Sequence, residues 1–155
     1  MADDTRSADE IQLVVFSLGR EEFAVEVTQV REIMRMEEIT RMPKSPDFVE
    51  GIINLRGQII AVVELAKRLN LEAGERSGDT RIIVVEAEDI KVGMIVDSVS
   101  EVLRVSADAV EPSPTLATDV AAAYLRGVVK QDNRLIILLD LTKVLSLQEM
   151  AGLEF

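Results

Sequence analysis

The chain carries one pattern twice, and this internal repeat limits its possible folds more than any other feature of the sequence. Residues 51–71 align with residues 127–147 without a gap, at an offset of 76 positions. Residues of similar chemistry fall in register: Glu64 with Asp140, Leu65 with Leu141, Lys67 with Lys143, and Leu69 with Leu145. Gly57 falls on Asn133, and because Gly and Asn take positive φ angles most readily, both copies are predicted to turn there.

A second block precedes each of these copies. Residues 23–33 align with residues 92–102 at an offset of 69. Val30 matches Val99 and Glu32 matches Glu101, and just beyond the block Arg35 matches Arg104. The difference between the two offsets is assigned to insertions in residues 104–124, which are rich in Ala, Ser, Thr and Pro. The chain is therefore interpreted as a duplicated unit of about half its length.

Short aliphatic runs bounded by Gly, Asn, Asp or charged residues predict that each half is made of β-strands. The clearest runs are residues 13–16, 59–63, 81–85 and 135–139. Phe23, Val25 and Val27 alternate with small or acidic residues, which predicts a strand with one buried face. Closely spaced short strands with this much apolar content predict an all-β fold of two small barrels or sandwiches.

The predicted organisation is one domain with two lobes. The polar segment Glu72–Thr80, which contains two glycines, is predicted to link the lobes. Helix is limited to one turn at residues 65–69 and a C-terminal segment. A flexible tail is predicted at residues 1–10 and a single domain at residues 11–150. Its two lobes are predicted at about 11–71 and 80–147, and the lobes can exchange end strands. A C-terminal helix and tail are predicted at 141–155.

Charge and residue types exclude several classes of function. The 155 residues carry a net charge of −11 and include no Cys and no His. Thiolate or imidazole metal sites, haem, Ser-His-Asp chemistry and a phosphohistidine relay on this chain are therefore not expected. The acidic balance disfavours nucleic acid and direct membrane binding, and it favours a monomer in isolation. No cofactor is expected.

The start of the chain indicates a cytoplasmic protein. Its first ten residues, MADDTRSADE, are polar and lack the basic and apolar regions of a signal peptide. No apolar run approaches the roughly 18 residues that a membrane-spanning helix needs. The sequence is therefore expected to be soluble and cytoplasmic.

Several segments in order resemble one known family. They are LGREEFAVEV, VTQVREI, ITRMPKSPDFVEGIINLRG, VGMIVDSVSEVL and RLIILLDLTKVL. Together they resemble the CheW-like domain family of chemotaxis coupling proteins, over about Gln12 to Met150. The resemblance implies two lobes, each a five-stranded SH3-like β-barrel, in agreement with the repeat.

The resemblance also implies a function. Proteins of this kind are non-enzymatic adaptors that link the cytoplasmic signalling tips of transmembrane chemoreceptors to the regulatory domain of the histidine kinase CheA in membrane-associated arrays. Similar domains occur fused to a kinase core or a receiver domain, but both ends of this chain lie within about a dozen residues of the resemblance. The expectation is therefore a free adaptor that binds receptor and kinase through separate surfaces.

The resemblance implies a receptor-facing region around Arg56. In similar proteins the matching Arg pairs with a Glu at the position of Glu32. The alternative is that Arg56 is a solvated turn residue. The candidate receptor-binding residues are Val30, Glu32, Ile33, Ile39, Asn54, Leu55, Arg56, Gly57, Ile59, Val99 and Val102. For the apolar members, ordinary core packing is the alternative. Gly57 and Leu55 are also expected to serve backbone conformation and packing, and Val99 and Val102 either close the far wall of the site or belong to the core.

The kinase contact is expected at exposed barrel edges, which the sequence does not identify. Met34, Met36 and Met42 form a local cluster that suits an adaptable interface or a core equally well.

Two other functions remain open. One is a homologous scaffold in a non-flagellar chemosensory pathway. The other is a hydrolase that uses the carboxylates of Glu64 and Asp140. The position of both residues before Leu-x-Lys at strand ends favours a helix-capping role instead.

Overall fold

The computed structural model describes residues 9–112 and 124–145. The strands are β1 (Glu10–Leu18), β2 (Glu21–Glu26), β3 (Val30–Arg35), β4 (Val49–Leu55), β5 (Gln58–Glu64), β6 (Arg81–Ala87), β7 (Ile90–Val96), β8 (Ser98–Ser106), β9 (Val110–Glu111), β10 (Leu125–Gln131) and β11 (Arg134–Leu139). The helices are α1 (Leu65–Arg68) and α2 (Leu141–Val144), and 3-10 turns span Val27–Gln29 and Ala107–Ala109. The predicted mainly β fold is confirmed, because each of the four aliphatic runs lies in a strand.

The strands form two sheets, and each sheet takes strands from both halves of the chain. Sheet A has the order β8-β1-β2-β11-β10-β9, and sheet B has the order β3-β6-β7-β5-β4. Equivalent strands make equivalent contacts: β5 runs parallel to β7 with Ala61 opposite Val92, and β11 runs parallel to β2 with Ile137 opposite Phe23. The repeat is thus a structural symmetry, and the two copies are interleaved.

Each sheet is closed by a segment that leaves one edge strand and pairs near the opposite edge. In sheet B, Thr40 follows β3 and exchanges two backbone hydrogen bonds of 2.8 and 2.9 Å with Ile52 of β4. In sheet A, β9 follows β8 and pairs with β10. This closure is compatible with the predicted SH3-like barrels.

Two glycines at equivalent positions permit the closure. A Cβ atom on Gly51, whose φ is +154°, would lie 2.1 Å from the backbone oxygen of Thr40. A Cβ atom on Gly127 would lie 2.6 Å from Val110 and 2.9 Å from the backbone oxygen of Glu111. Both glycines also occupy β-bulges. Close backbone approach therefore explains why the repeat has Gly at this position.

The buried apolar residues form three clusters. One belongs to sheet A alone and includes Leu13, Val15 and Ile136, and another belongs to sheet B alone and includes Val62 and Val84. The third and largest, the central cluster, takes residues from both sheets and both helices. Each sheet thus packs one face on its own core and the other on the shared core. Burial of this shared apolar surface holds the two sheets together.

Strand β2 differs from its prediction. Phe23 and Val25 are buried in the central cluster as expected, but Ala24 between them is also fully buried, in the cluster of sheet A. The prediction of a single buried face is wrong here because β2 lies between β1 and β11, with a core on each side.

The two short helices begin after equivalent strands but are capped differently. Asp140 Oδ1 accepts a hydrogen bond of 3.3 Å from the backbone N–H of Lys143, as expected for a cap. Glu64 makes no such bond, and its carboxylate instead accepts a hydrogen bond of 2.5 Å from Arg76 Nη1. The predicted capping role is therefore wrong for Glu64. Arg76 lies in the segment predicted to link the lobes, and the ion pair ties that segment to sheet B.

Other predictions fall at the ends of the chain or in turns. The C-terminal helix starts at Leu141 as predicted, while residues 146–155 and most of the predicted tail at 1–10 lie outside the described residues. In the second hairpin the positive φ falls on Asp132 and not on Asn133. None of the helices in the described ranges is long and apolar enough to cross a membrane.

Candidate partner-binding site

The hairpin between β4 and β5 presents Arg56 at its tip. Arg56 and Gly57 both have positive φ angles, of 51° and 87°, as a tight turn between twisted strands requires. Asn54 Oδ1 accepts a hydrogen bond of 2.9 Å from the backbone N–H of Gly57. An Asn side chain that bonds to the backbone in this way stabilises the turn. Asn54 and Gly57 therefore fix the backbone from which the Arg56 side chain projects.

Arg56 forms an ion pair with Glu32 across the edge of sheet B. Arg56 Nη2 lies 2.7 Å from Glu32 Oε1, so the pair that the resemblance implied is present. Glu32 belongs to β3 and Arg56 to the β4–β5 hairpin, so the pair joins the two edges of the sheet. The Arg56 side chain is 71% exposed and that of Glu32 is 28% exposed. Such a pair contributes less than about 1 kcal/mol to stability.

A groove of about 420 Å³ lies beside this ion pair. Its lining residues are Arg31, Glu32, Leu55, Arg56, Gln58, Val84 and Lys91. Val84 belongs to the sheet B core and Leu55 packs against it, while charged groups form the rim. Arg31 Nε lies 3.0 Å from Glu86 Oε1, and Lys91 Nζ donates a hydrogen bond of 3.3 Å to Gln58 Oε1.

Four of the lining residues were not predicted from the sequence, namely Arg31, Gln58, Val84 and Lys91. A signal for two of them exists in the repeat. Lys91 aligns with Glu22 at the offset of 69, and Gln58 aligns with Arg134 at the offset of 76. In both copies, two neighbouring strands thus carry polar residues near their first residue: β5 and β7 in one sheet, β11 and β2 in the other.

The equivalent positions in sheet A form an internal ion network. Arg134 donates two hydrogen bonds, of 2.8 and 2.9 Å, to the Glu22 carboxylate, and its Nη2 also lies 2.7 Å from Glu101 Oε2. These bonds and the nearby charge of Arg134 lower the pKa of Glu22, against an opposing effect of burial. Glu101 is the residue equivalent to Glu32. One copy therefore pairs its Glu with an Arg of β11, and the other with the Arg of a hairpin tip.

The apolar candidates in sheet B divide into exposed and packed residues. Ile33 is 41% exposed and Ile59 is 48% exposed. Ile39 and Leu55 pack against the sheet B core, and Val30 packs against the central cluster. Of the apolar candidates in sheet B, only Ile33 and Ile59 therefore expose large apolar surface.

The last two candidates lie in sheet A and differ from each other. Val99 is half-buried and packs against the central cluster, which fits the core interpretation. Val102 is 55% exposed, so the core interpretation is wrong for this residue. Both belong to β8, which pairs with β1, and the structure therefore puts them in a different sheet from Glu32 and Arg56.

The remaining residues with predicted roles have structural partners. Met34 and Met36 pack against the sheet B core. Met42 lies apart from them and lines a cleft of about 260 Å³ that includes Glu50 and Lys67. Glu64 is 3% exposed and ion-paired with Arg76. Within residues 9–112 and 124–145 there is no cluster of acidic side chains arranged to hold a metal ion.

Comparison with known proteins identifies relatives over most of the chain. The sequence model of the CheW-like domain matches residues 12–149. The chain is 37% identical to the chemotaxis protein CheW of Treponema pallidum, over 94% of this chain and 88% of that protein. It is 38% identical to the chemotaxis protein CheW of Thermotoga maritima, over 88% of each chain.

A solved structure has the same fold. The crystal structure of the scaffolding protein TtCheW from Thermoanaerobacter tengcongensis superposes with a TM-score of 0.79, at 40% identity over 84% of each chain. The fold, the family match and these relatives agree with one another. The chain belongs to the CheW-like domain family, and the relatives compared above are chemotaxis CheW proteins, one of them a scaffolding protein of known structure.

Proposed function

We propose that this chain couples chemoreceptors to the histidine kinase CheA by binding each through a separate surface. The observation that carries the proposal is the Arg56–Glu32 ion pair, which stands at an exposed edge of sheet B beside a groove. A pair this exposed adds little to folding, so a role in recognition accounts for it better than a role in stability.

The proposed receptor face lies on sheet B. Its charged centre is Arg56 with Glu32, held by the turn residues Asn54 and Gly57. Its exposed apolar residues are Ile33 and Ile59, which suit the apolar face of a receptor's helical hairpin. Ile39 and Leu55 pack against the sheet B core and Val30 against the central cluster, so they are proposed to shape this face from within the fold. Val102, exposed on β8, is its proposed far wall, whereas Val99 packs against the central cluster.

The kinase regulatory domain is proposed to bind elsewhere. The contact is proposed on sheet A, where Leu135 of β11 is one of the large apolar residues that the described part of the chain exposes. Two separate faces would let one chain hold both partners at once. Simultaneous binding raises the effective concentration of each partner for the other, so that two weak contacts give a stable array at the cytoplasmic side of the membrane.

The proposal is tested by calorimetric titration of the chain with the CheA regulatory domain and with a soluble fragment of a chemoreceptor signalling hairpin. The parent chain is expected to bind both. Arg56→Ala is expected to weaken receptor binding and leave kinase binding unchanged. Lys143→Ala, which removes an exposed cation from α2, is the matched control and is expected to bind both as the parent does.

Two results would contradict the proposal. If the folded parent chain binds neither partner, the coupling function is wrong. If Arg56→Ala lowers the unfolding temperature strongly while receptor affinity is intact, Arg56 serves folding and the receptor face lies elsewhere.

A further inference from the structure

The two copies of the repeat balance their charges differently at equivalent positions. In sheet A the three positions hold Glu22, Glu101 and Arg134, and the Arg is bound by both carboxylates at 2.7 to 2.9 Å. The charge of Arg134 is therefore balanced within the protein, because both Glu22 and Glu101 bind it.

In sheet B the same three positions hold Lys91, Glu32 and Gln58. Lys91 takes the place of a carboxylate and Gln58 that of the central cation. Among the described residues Lys91 makes no ion pair, and its ammonium donates to the neutral amide of Gln58 at 3.3 Å. The position that is acidic in sheet A is thus cationic in sheet B, with an uncharged partner.

The surrounding groups leave this cation in surplus. Glu32 is bound by Arg56 at 2.7 Å, and Glu86 is bound by Arg31 at 3.0 Å. Both nearby carboxylates are therefore engaged. The groove is lined by three cations and one carboxylate, and with Glu86, which lies opposite Lys91 in the pairing of β6 and β7, the local balance is one positive charge. This cationic groove stands on a chain whose net charge is −11. A local surplus of the opposite sign marks where an acidic group would be attracted.

We propose that the groove beside Arg56 binds a carboxylate side chain of the receptor hairpin between Lys91 and Arg56. The inference rests on the proposed receptor face and adds the chemistry that its partner must present. A carboxylate would give Lys91 an ion-pair partner in place of the uncharged amide of Gln58, and it would share the exposed guanidinium of Arg56.

The test is calorimetric titration of the full chain with a soluble receptor hairpin fragment, at low and at physiological ionic strength. Lys91→Gln is expected to weaken binding by about three- to tenfold and to reduce its salt dependence. Lys130→Gln makes the same change of charge on exposed sheet A and is expected to alter affinity by less than about twofold. Circular dichroism and thermal unfolding check that both variants fold as the parent does.

A charge exchange gives a second, independent readout. Lys91→Glu is expected to bind the receptor fragment more weakly than Lys91→Gln does, because it repels the partner carboxylate. A receptor fragment whose acidic tip residues are changed to Lys is expected to bind Lys91→Glu better than it binds the parent chain.

The outcomes separate this inference from the proposed function. If the parent binds the receptor fragment and Lys91→Gln binds it equally well with the same salt dependence, the carboxylate site is wrong and the receptor face can still be correct. If the parent does not bind the fragment at all, the proposed function fails and this inference fails with it.

Discussion

Arg68 Nε donates a hydrogen bond of 2.6 Å to the backbone oxygen of Val144, the residue that occupies Arg68's own position in the second copy of the repeat. The guanidinium also lies 4.8 Å from the ring centre of Phe48 and 4.9 Å from that of Tyr124. Arg68 is on α1, Val144 is on α2, and Tyr124 precedes β10 of sheet A. The Arg68 side chain thus joins the two copies of the repeat at the place where their equivalent helices, α1 and α2, meet.

Arg68→Met is expected to destabilise the fold by about 1–3 kcal/mol, because two cation–π contacts and a hydrogen bond are lost at a half-buried position. Chemical denaturation measures the change. Arg68→Lys is expected to recover only part of the loss, since an ammonium lacks the planar group that lies between two rings. Lys130→Met serves as the control for loss of a surface cation, and an equal effect at both positions would contradict the prediction.

Gly51→Ala is expected to destabilise the protein by about 2–4 kcal/mol, because the new Cβ would overlap the backbone oxygen of Thr40 at a strained φ. Gly78→Ala is the matched control, since nothing lies within 4 Å of its added Cβ and its φ is not positive. Its effect is expected to stay within about 0.5 kcal/mol. Equal unfolding midpoints for the two variants would refute the role of Gly51 in closing sheet B.

Arg76→Gln is expected to destabilise the protein by about 1–3 kcal/mol at neutral pH, because it leaves the buried Glu64 carboxylate without its ion-pair partner. Burial already raises the pKa of Glu64 above 4.5, although Arg76 opposes the shift. A raised folded-state pKa means that the folded protein holds the proton more tightly than the unfolded chain, so stability falls as the pH rises through that pKa.

The loss in Arg76→Gln should therefore be larger at neutral pH than near pH 4.5, the ordinary value for the Glu64 carboxyl. Denaturant titrations at both pH values measure this difference. The double variant Arg76→Gln with Glu64→Gln is expected to be less destabilised at neutral pH than Arg76→Gln alone, since no charge is then buried. A loss that does not change with pH would show that Arg76 acts through contacts other than the Glu64 charge.

Glu32→Gln and Arg56→Gln are expected to lower the free energy of unfolding by less than about 1 kcal/mol each, because the pair is largely exposed. Receptor affinity is expected to fall much more than stability in both variants. Thermal unfolding and calorimetric titration on the same samples compare the two effects. A double variant no worse than either single one would show that the two residues act as a pair, whereas additive losses would argue against it.

The sequence predicts the strands well because short aliphatic runs leave few other choices. Residues 59–63 and 135–139 read as strands by composition alone, and the repeat predicts that the chain turns before both. An alignment of the two copies does not show whether a strand pairs with a strand of its own copy or with a strand of the other copy. The parallel contacts of β5 with β7 and of β11 with β2 come from the packing of apolar faces on a shared core.

The residues of the candidate site also divide into those that the sequence predicts and those that only the fold brings together. The Arg56–Glu32 pair was implied by a motif, NLRG, whose neighbours in the chain carry the resemblance. Lys91 is the second residue of β7, after the turn at Glu88 and Asp89, and no local pattern separates it from a solvated surface residue. Only the sheet order, which brings β5 beside β7, puts Lys91 within hydrogen-bond distance of Gln58. Sites formed by strand register need the fold before they can be found.

The interleaving of the two copies has a consequence for the origin of the chain. Neither half holds all the strands of either sheet, so one copy of the repeat alone would leave open edges and an exposed core face. Two separate copies could complete both sheets by exchanging strands, as a domain-swapped homodimer does. Gene duplication and fusion would turn such a dimer into one chain, after which each former subunit could diverge to suit a different neighbour.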